Sequence, residues 1–170
     1  MKTYVALLRA VNLGKRQLRM DDLKRIAAGL GLGSPRTYIA SGNLLFRSDK
    51  SEAALKSMLE SAIADHMSAS VAVMIRDADE LAGTVKGNPF ADEPSNRVVA
   101  IFLDHKPRKR ALEEARNVDD ERMALGHREI YVHYPSGQGR SKLVIGDASK
   151  GTARNMNTIA KLAELARETS

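Results

Sequence analysis

Residues 36–48, RTYIASGNLLFRS, decide the fold of this 170-residue chain. Two short runs rich in β-branched, aromatic and aliphatic residues, Arg36–Ala40 and Leu44–Ser48, flank Ser41-Gly42-Asn43. Gly and Asn accept positive φ, so the trio reads as a tight turn and the segment as a β-hairpin. On the N-terminal side, Lys2–Arg9 (KTYVALLR) reads as a strand. Asp21 is placed to cap a helix with Leu23, Ile26, Ala27 and Leu30 at helical spacing, ended by GLGLGS and Pro35. On the C-terminal side, Ser51 is placed to cap a second helix (Leu55, Met58, Leu59, Ala62, Ile63), and Ser70–Arg76 is a further strand. The order β-α-β-β-α-β is that of a ferredoxin-like unit over residues 1–76.

Residues 77–96 read as a short helix followed by the loop GNPFADEPSN. The apolar run Val98–Asp104 predicts a central strand. A charged helix is expected from Pro107 to Arg116, then strands at Glu121–Leu125 and Arg128–Tyr134, and a long helix over Thr152–Arg167. Residues 97–170 thus form a second α/β half. The predicted class is α+β: two ferredoxin-like halves, each an antiparallel sheet with helices packed on one face.

Composition narrows the chemistry. The chain has no cysteine, which excludes disulfides, Cys-ligated zinc and thiol catalysis. There is no run of membrane-spanning length and no secretory pattern, so the expected location is the cytoplasm, with no membrane partner. The net charge of +6 is concentrated at the chain ends. Residues 1–20 hold five basic side chains and no acidic one; residues 136–170 hold six basic against three acidic. Such a distribution suits an anionic partner, a phosphate-bearing small molecule, a nucleotide or nucleic acid, and equally suits solubility alone.

The stretch SGQGRSKLVIGDASKGTARNMNT, residues 136–158, joins glycines to Arg140, Lys142, Lys150 and Arg154. Glycines let backbone approach a ligand, and a helix start near Thr152 would present free N–H groups to an anion. Arg154 in a first helical turn would oppose the helix dipole, a cost that hints at function. The spacing is not that of a P-loop, and a solvated hairpin-to-helix connection explains it equally. The basic loop Arg9–Arg19 reads either as the facing half of an anion site or as a flexible loop. Ser141 next to Lys142 lacks S-x-x-K spacing and gives no serine nucleophile. His105, His127 and His133 have no metal-binding spacing and read as surface or edge residues; neither metal nor cofactor is expected. The aromatic residues of an RNA-recognition sheet are missing.

Four segments, YVALLRAVNLGK, TYIASGNLLF, the NPF at Asn88–Phe90 and GRSKL…TARNMNT, together resemble a widespread bacterial family catalogued as a domain of unknown function. The resemblance runs in order along nearly the whole chain and implies an α+β fold with two ferredoxin-like halves. It carries the family's polar positions onto Arg9, Asn12, Gly14, Ser41, Gly42, Asn43, Arg140, Ser141, Lys142, Thr152, Arg154, Asn155, Asn157 and Thr158. Ala10, Lys15 and Met156 depart from its pattern, where Gly, a second Gly and Trp are usual. The missing Trp removes a stacking platform. A fold follows from the resemblance; a reaction does not.

The expected ligand site is a basic cleft between the halves. Arg9, Lys15, Arg140, Lys142 and Arg154 would neutralise charge there, and Asn12, Ser41, Asn43, Ser141, Asn155 and Asn157 would orient the ligand. Two alternatives stay open: a nucleic-acid-binding module, and a scaffold or oligomerisation domain without a ligand. Enzymatic activity and oligomeric state are left undecided.

Overall fold

In a computed structural model, residues 1–11 and 17–169 are described. The chain divides into two compact units, residues 1–80 with 162–170, and residues 81–161. Each unit contains one four-stranded antiparallel sheet.

The first unit contains β1 (Lys2–Leu8), α1 (Met20–Gly29), β2 (Gly33–Thr37), β3 (Asn43–Ser48), α2 (Glu52–Met67) and β4 (Val73–Asp77). Its strand order, β2-β3-β1-β4, is the ferredoxin-like one. Alternate residues of the central strands share a face: Tyr4, Ala6, Leu8, Leu44, Phe46, Val73 and Ile75 pack with Leu23, Ala27, Leu55, Leu59 and Ile63 of the helices. Ser51 caps α2 as expected, its Oγ accepting the Ala54 N–H at 3.2 Å. Asp21 does not cap α1. That helix begins at Met20, and Asp21 and Asp22 lie in its first turn, where the dipole favours negative charge.

The hairpin is displaced from its predicted frame. β2 ends at Thr37, and the connection is Tyr38–Gly42. Gly42 takes φ +89°, whereas Asn43 already belongs to β3 and the second left-handed residue is Ile39 at φ +53°. A Cβ on Gly42 would lie 2.7 Å from Val11 Cγ2 and 2.9 Å from Leu8 Cβ, so both conformation and space require glycine.

The helix α3 (Ala78–Lys86) opens with a capping box: Asp77 Oδ1 accepts the Glu80 N–H, and Glu80 Oε1 accepts that of Asp77. The second unit's sheet comprises β5 (Val98–Phe102), β6 (Arg122–Leu125), β7 (Glu129–His133) and β8 (Thr152–Asn155), in the order β6-β7-β5-β8. This repeats the ferredoxin-like order.

Two expected helices are different here. Residues 109–114 form turns, and no charged α-helix runs through 107–116. Arg116 and Val144 pair in an antiparallel bridge, and Asp147 accepts both the backbone N–H and the guanidinium of Arg108. Few residues remain between these ties, too short a run for a helix to be self-sustaining. Ala111, Leu112 and Ala115 still pack with Val99, Ile130 and Val132, so the turns cover the sheet where a helix was expected.

The last helix, α4 (Met156–Thr169), starts later than predicted because residues 152–155 are β8, paired to β5. Its residues Met156, Thr158, Ile159, Ala163 and Ala166 are buried. Among the described residues no helix is long and apolar enough to cross a membrane.

Candidate functional site

β6 and β7 pair through Arg122↔His133 and Leu125↔Ile130, closed by a short turn at 126–128. The residues before β6 and those after β7 therefore emerge at the same open end of a hairpin. They are joined again at the Arg116–Val144 bridge. Between these two backbone pairings the chains separate and enclose a pocket of about 540 Å³. One wall is Asn117–Glu121; the other is Ser136, Gly137 and Arg140–Lys142.

Local chemistry explains why the walls stay apart. Asn117 adopts φ +59°, a conformation asparagine tolerates, and turns the first wall out of the bridge. Gly137 takes φ +90°, and a Cβ there would approach Arg97 Nη1 to 3.0 Å. Its N–H donates to Tyr134 O, closing the turn that starts the second wall.

Side-chain bonds then tie wall to wall. The Ser141 hydroxyl donates to Glu121 Oε2 and accepts the Leu143 N–H at 3.1 Å. The Asp119 N–H donates to Glu121 Oε1 at 2.7 Å. The Ser136 hydroxyl donates to Asp120 Oδ2 at 2.6 Å. The Ser141 hydrogen bond, followed by the Asp119 N–H, holds the Glu121 carboxyl below its ordinary range. Glu121 is thus ionised and weakly basic. Next to it, burial pushes the Tyr134 phenol up, with the Glu121 charge adding to the effect.

The remaining lining groups have no such partners. Arg140 and Lys142 are exposed, and among the described residues neither forms an ion pair, although three carboxylates line the same pocket.

Of the expected residues, Arg140, Ser141 and Lys142 line this pocket together. Asn12, Lys15 and Gly14 lie outside the described residues. Arg9 is exposed after β1, in the first unit. Ser41 and Asn43 serve the hairpin connection: buried Asn43 donates through Nδ2 to Tyr38 O at 2.9 Å and to Ser41 Oγ at 3.0 Å.

Arg154 is not in a helical turn, so its supposed conflict with a helix dipole does not exist. It sits on β8, only 7% exposed, donating to Thr152 Oγ1 at 2.7 Å and Ala153 O at 2.9 Å. Burial lowers its pKa to about 10. Asn155 is the cap of α4, its Oδ1 accepting the Thr158 N–H at 3.1 Å. Asn157 is exposed in the first turn of that helix. None of the three lines the pocket.

The acidic wall, Asn117–Glu121, was not anticipated. Its signal was the N-x-D-D-E run directly before one hairpin strand, matched by Ser136-Gly137, separated by two residues from the end of the other. Among the histidines, His105 and His127 are exposed as expected, but His133 is buried. Its ring lies 3.2 Å from Arg122 Nη2 and 3.5 Å from Glu93 Oε2, and Arg122 also stands over the Phe90 ring. Among the described residues no group of carboxylates and histidines is arranged to hold a metal ion.

Comparison with known proteins agrees with the architecture. A solved structure of the conserved bacterial protein SP0830 from Streptococcus pneumoniae is similar with a TM-score of 0.83 and 24% identity, covering 98% of this chain and 99% of that one. At that identity the likeness speaks for the fold alone. No curated protein matches the sequence. A family model described as "Protein of unknown function (DUF1697)" matches residues 1–131, taking in the acidic wall of the pocket and stopping before Arg140–Lys142. The chain belongs to this family.

Proposed function

We propose that the second unit binds a phosphate-bearing small molecule or nucleotide in the pocket between Asn117–Glu121 and Ser136–Lys142. One observation carries this reading: two exposed cations, Arg140 and Lys142, line a pocket of about 540 Å³ and have no acidic partner among the described residues. Ser141 between them is fixed by Glu121, which sets the course of the backbone carrying both. A phosphate oxygen takes charge-assisted bonds from such groups, each worth about 1.5–3 kcal/mol.

The proposed site is built from residues of the second unit. Asp119 and Asp120 beside the cations favour a compact ligand over nucleic acid, whose extended row of phosphates would be repelled by them.

Thermal unfolding in the presence of nucleotides and sugar phosphates tests the proposal. At least one should raise the midpoint of the wild-type protein, and the increase should vanish in the Arg140→Ala/Lys142→Ala double variant. A panel with no stabilising phosphate, or an effect that survives in the double variant, would refute it.

A further inference from the structure

The charge balance of the pocket deepens this reading, on which the following inference rests. Three carboxylates, Asp119, Asp120 and Glu121, line the pocket against two cations, Arg140 and Lys142. Opposite charges placed around one small void would be expected to neutralise each other by direct pairing. Here they do not: no ion pair joins these groups among the described residues.

Glu121 is accounted for by the donors from Ser141 and Asp119. Asp120 receives only a neutral hydroxyl, from Ser136. The Asp119 carboxylate receives no hydrogen bond or ion pair among the described residues. A purely anionic ligand would gain from Arg140 and Lys142 and be repelled by the two under-compensated aspartates lining the same pocket. A ligand with a cation at its other end turns that repulsion into attraction.

We infer that the ligand is zwitterionic, a phosphate ester that also carries an amine, with the phosphate at Arg140 and Lys142 and the ammonium group at Asp119 and Asp120. An ammonium group supplies three donors and no acceptor, the complement of two carboxylates with acceptor capacity to spare. No chemical step is implied.

Isothermal titration calorimetry of the purified full-length protein with aminoalkyl phosphates, each against the alkyl phosphate of equal chain length, tests the inference. At the best-fitting length the amine should tighten binding by about tenfold or more, the usual return of one charge-assisted hydrogen bond. In Asp119→Asn/Asp120→Asn, whose changes are on exposed residues, that preference should disappear while the alkyl phosphate binds as well as before or better. Equal affinity within every pair, with both members lost in Arg140→Ala/Lys142→Ala, would overturn the zwitterion and leave the phosphate site standing. A preference that persists in Asp119→Asn/Asp120→Asn would also overturn it. Failure of every phosphate to bind the wild type would remove the phosphate site and this inference together. The wild-type comparison decides the matter even if the aspartate variant folds poorly.

Discussion

The Ser141 hydroxyl donates to the Glu121 carboxylate across the pocket, joining the segment after β7 to the segment before β6. This bond keeps Glu121 ionised and positions the backbone on which Arg140 and Lys142 are carried. Its removal has a calculable pH signature. Glu121 has its folded pKa below the ordinary 4.5, so its stabilising contribution is complete above that value and is lost as pH falls through the folded one. Ser141→Ala should raise the folded pKa toward 4.5. The variant should be less stable than wild type at neutral pH and begin acid unfolding at higher pH, with the difference shrinking at the lowest pH. Denaturant melts at a series of pH values check this; a pH-independent difference would show that Glu121 is not the group responsible.

Asn155 should prove structural. Asn155→Ala removes the acceptor of the Thr158 N–H and is expected to cost about 1 kcal/mol in urea unfolding. Asn155→Asp or Asn155→Ser should restore most of that, because each supplies a capping oxygen. Ligand affinity should be unchanged in all three.

Arg154 predicts an effect at the alkaline end. Its folded pKa of about 10 lies well below the ordinary guanidinium value, because burial disfavours the cation. Below pH 10 the group is charged both folded and unfolded, and the burial cost is constant. Above it the unfolded chain holds the proton longer, so stability gains with rising pH. The stability of wild type relative to Arg154→Met should therefore be flat up to about pH 10 and then move in favour of wild type.

Two glycines test the close backbone approaches. Gly42→Ala must take φ +89° and push a methyl group to 2.7 Å from Val11, and Gly151→Ala would place one 2.7 Å from Phe102 O. Each should destabilise by about 1–3 kcal/mol in denaturant melts, with Gly146→Ala, where a Cβ meets nothing within 4 Å, as the benign control.

The sheet architecture was legible in the sequence because strand periodicity and turn residues are local signals. Val98–Phe102, Arg122–Leu125 and Glu129–His133 lie within a residue or two of their predicted bounds. What failed depended on partners distant in sequence. Residues 107–115 have helical composition, but the Arg108–Asp147 bonds and the Arg116–Val144 bridge leave no room for a helix. Residues 152–155 read as a helix start until β5 captures them as β8. The site was legible by half. Arg140, Ser141 and Lys142 stood out by charge and glycine context, while Asp119 and Asp120 gain meaning only once the hairpin brings both walls to one end. Arg154 misled because its burial on a strand resembles, in sequence, an exposed cation at a helix terminus.

The location of phosphate binding is the central claim, and a ¹H–¹⁵N chemical-shift titration with inorganic pyrophosphate tests it most directly. The account predicts saturable shifts concentrated at backbone amides 117–121 and 136–142, absent in Arg140→Ala/Lys142→Ala. Shifts centred on Arg9 and Ser41, or no saturable shift anywhere, would contradict it.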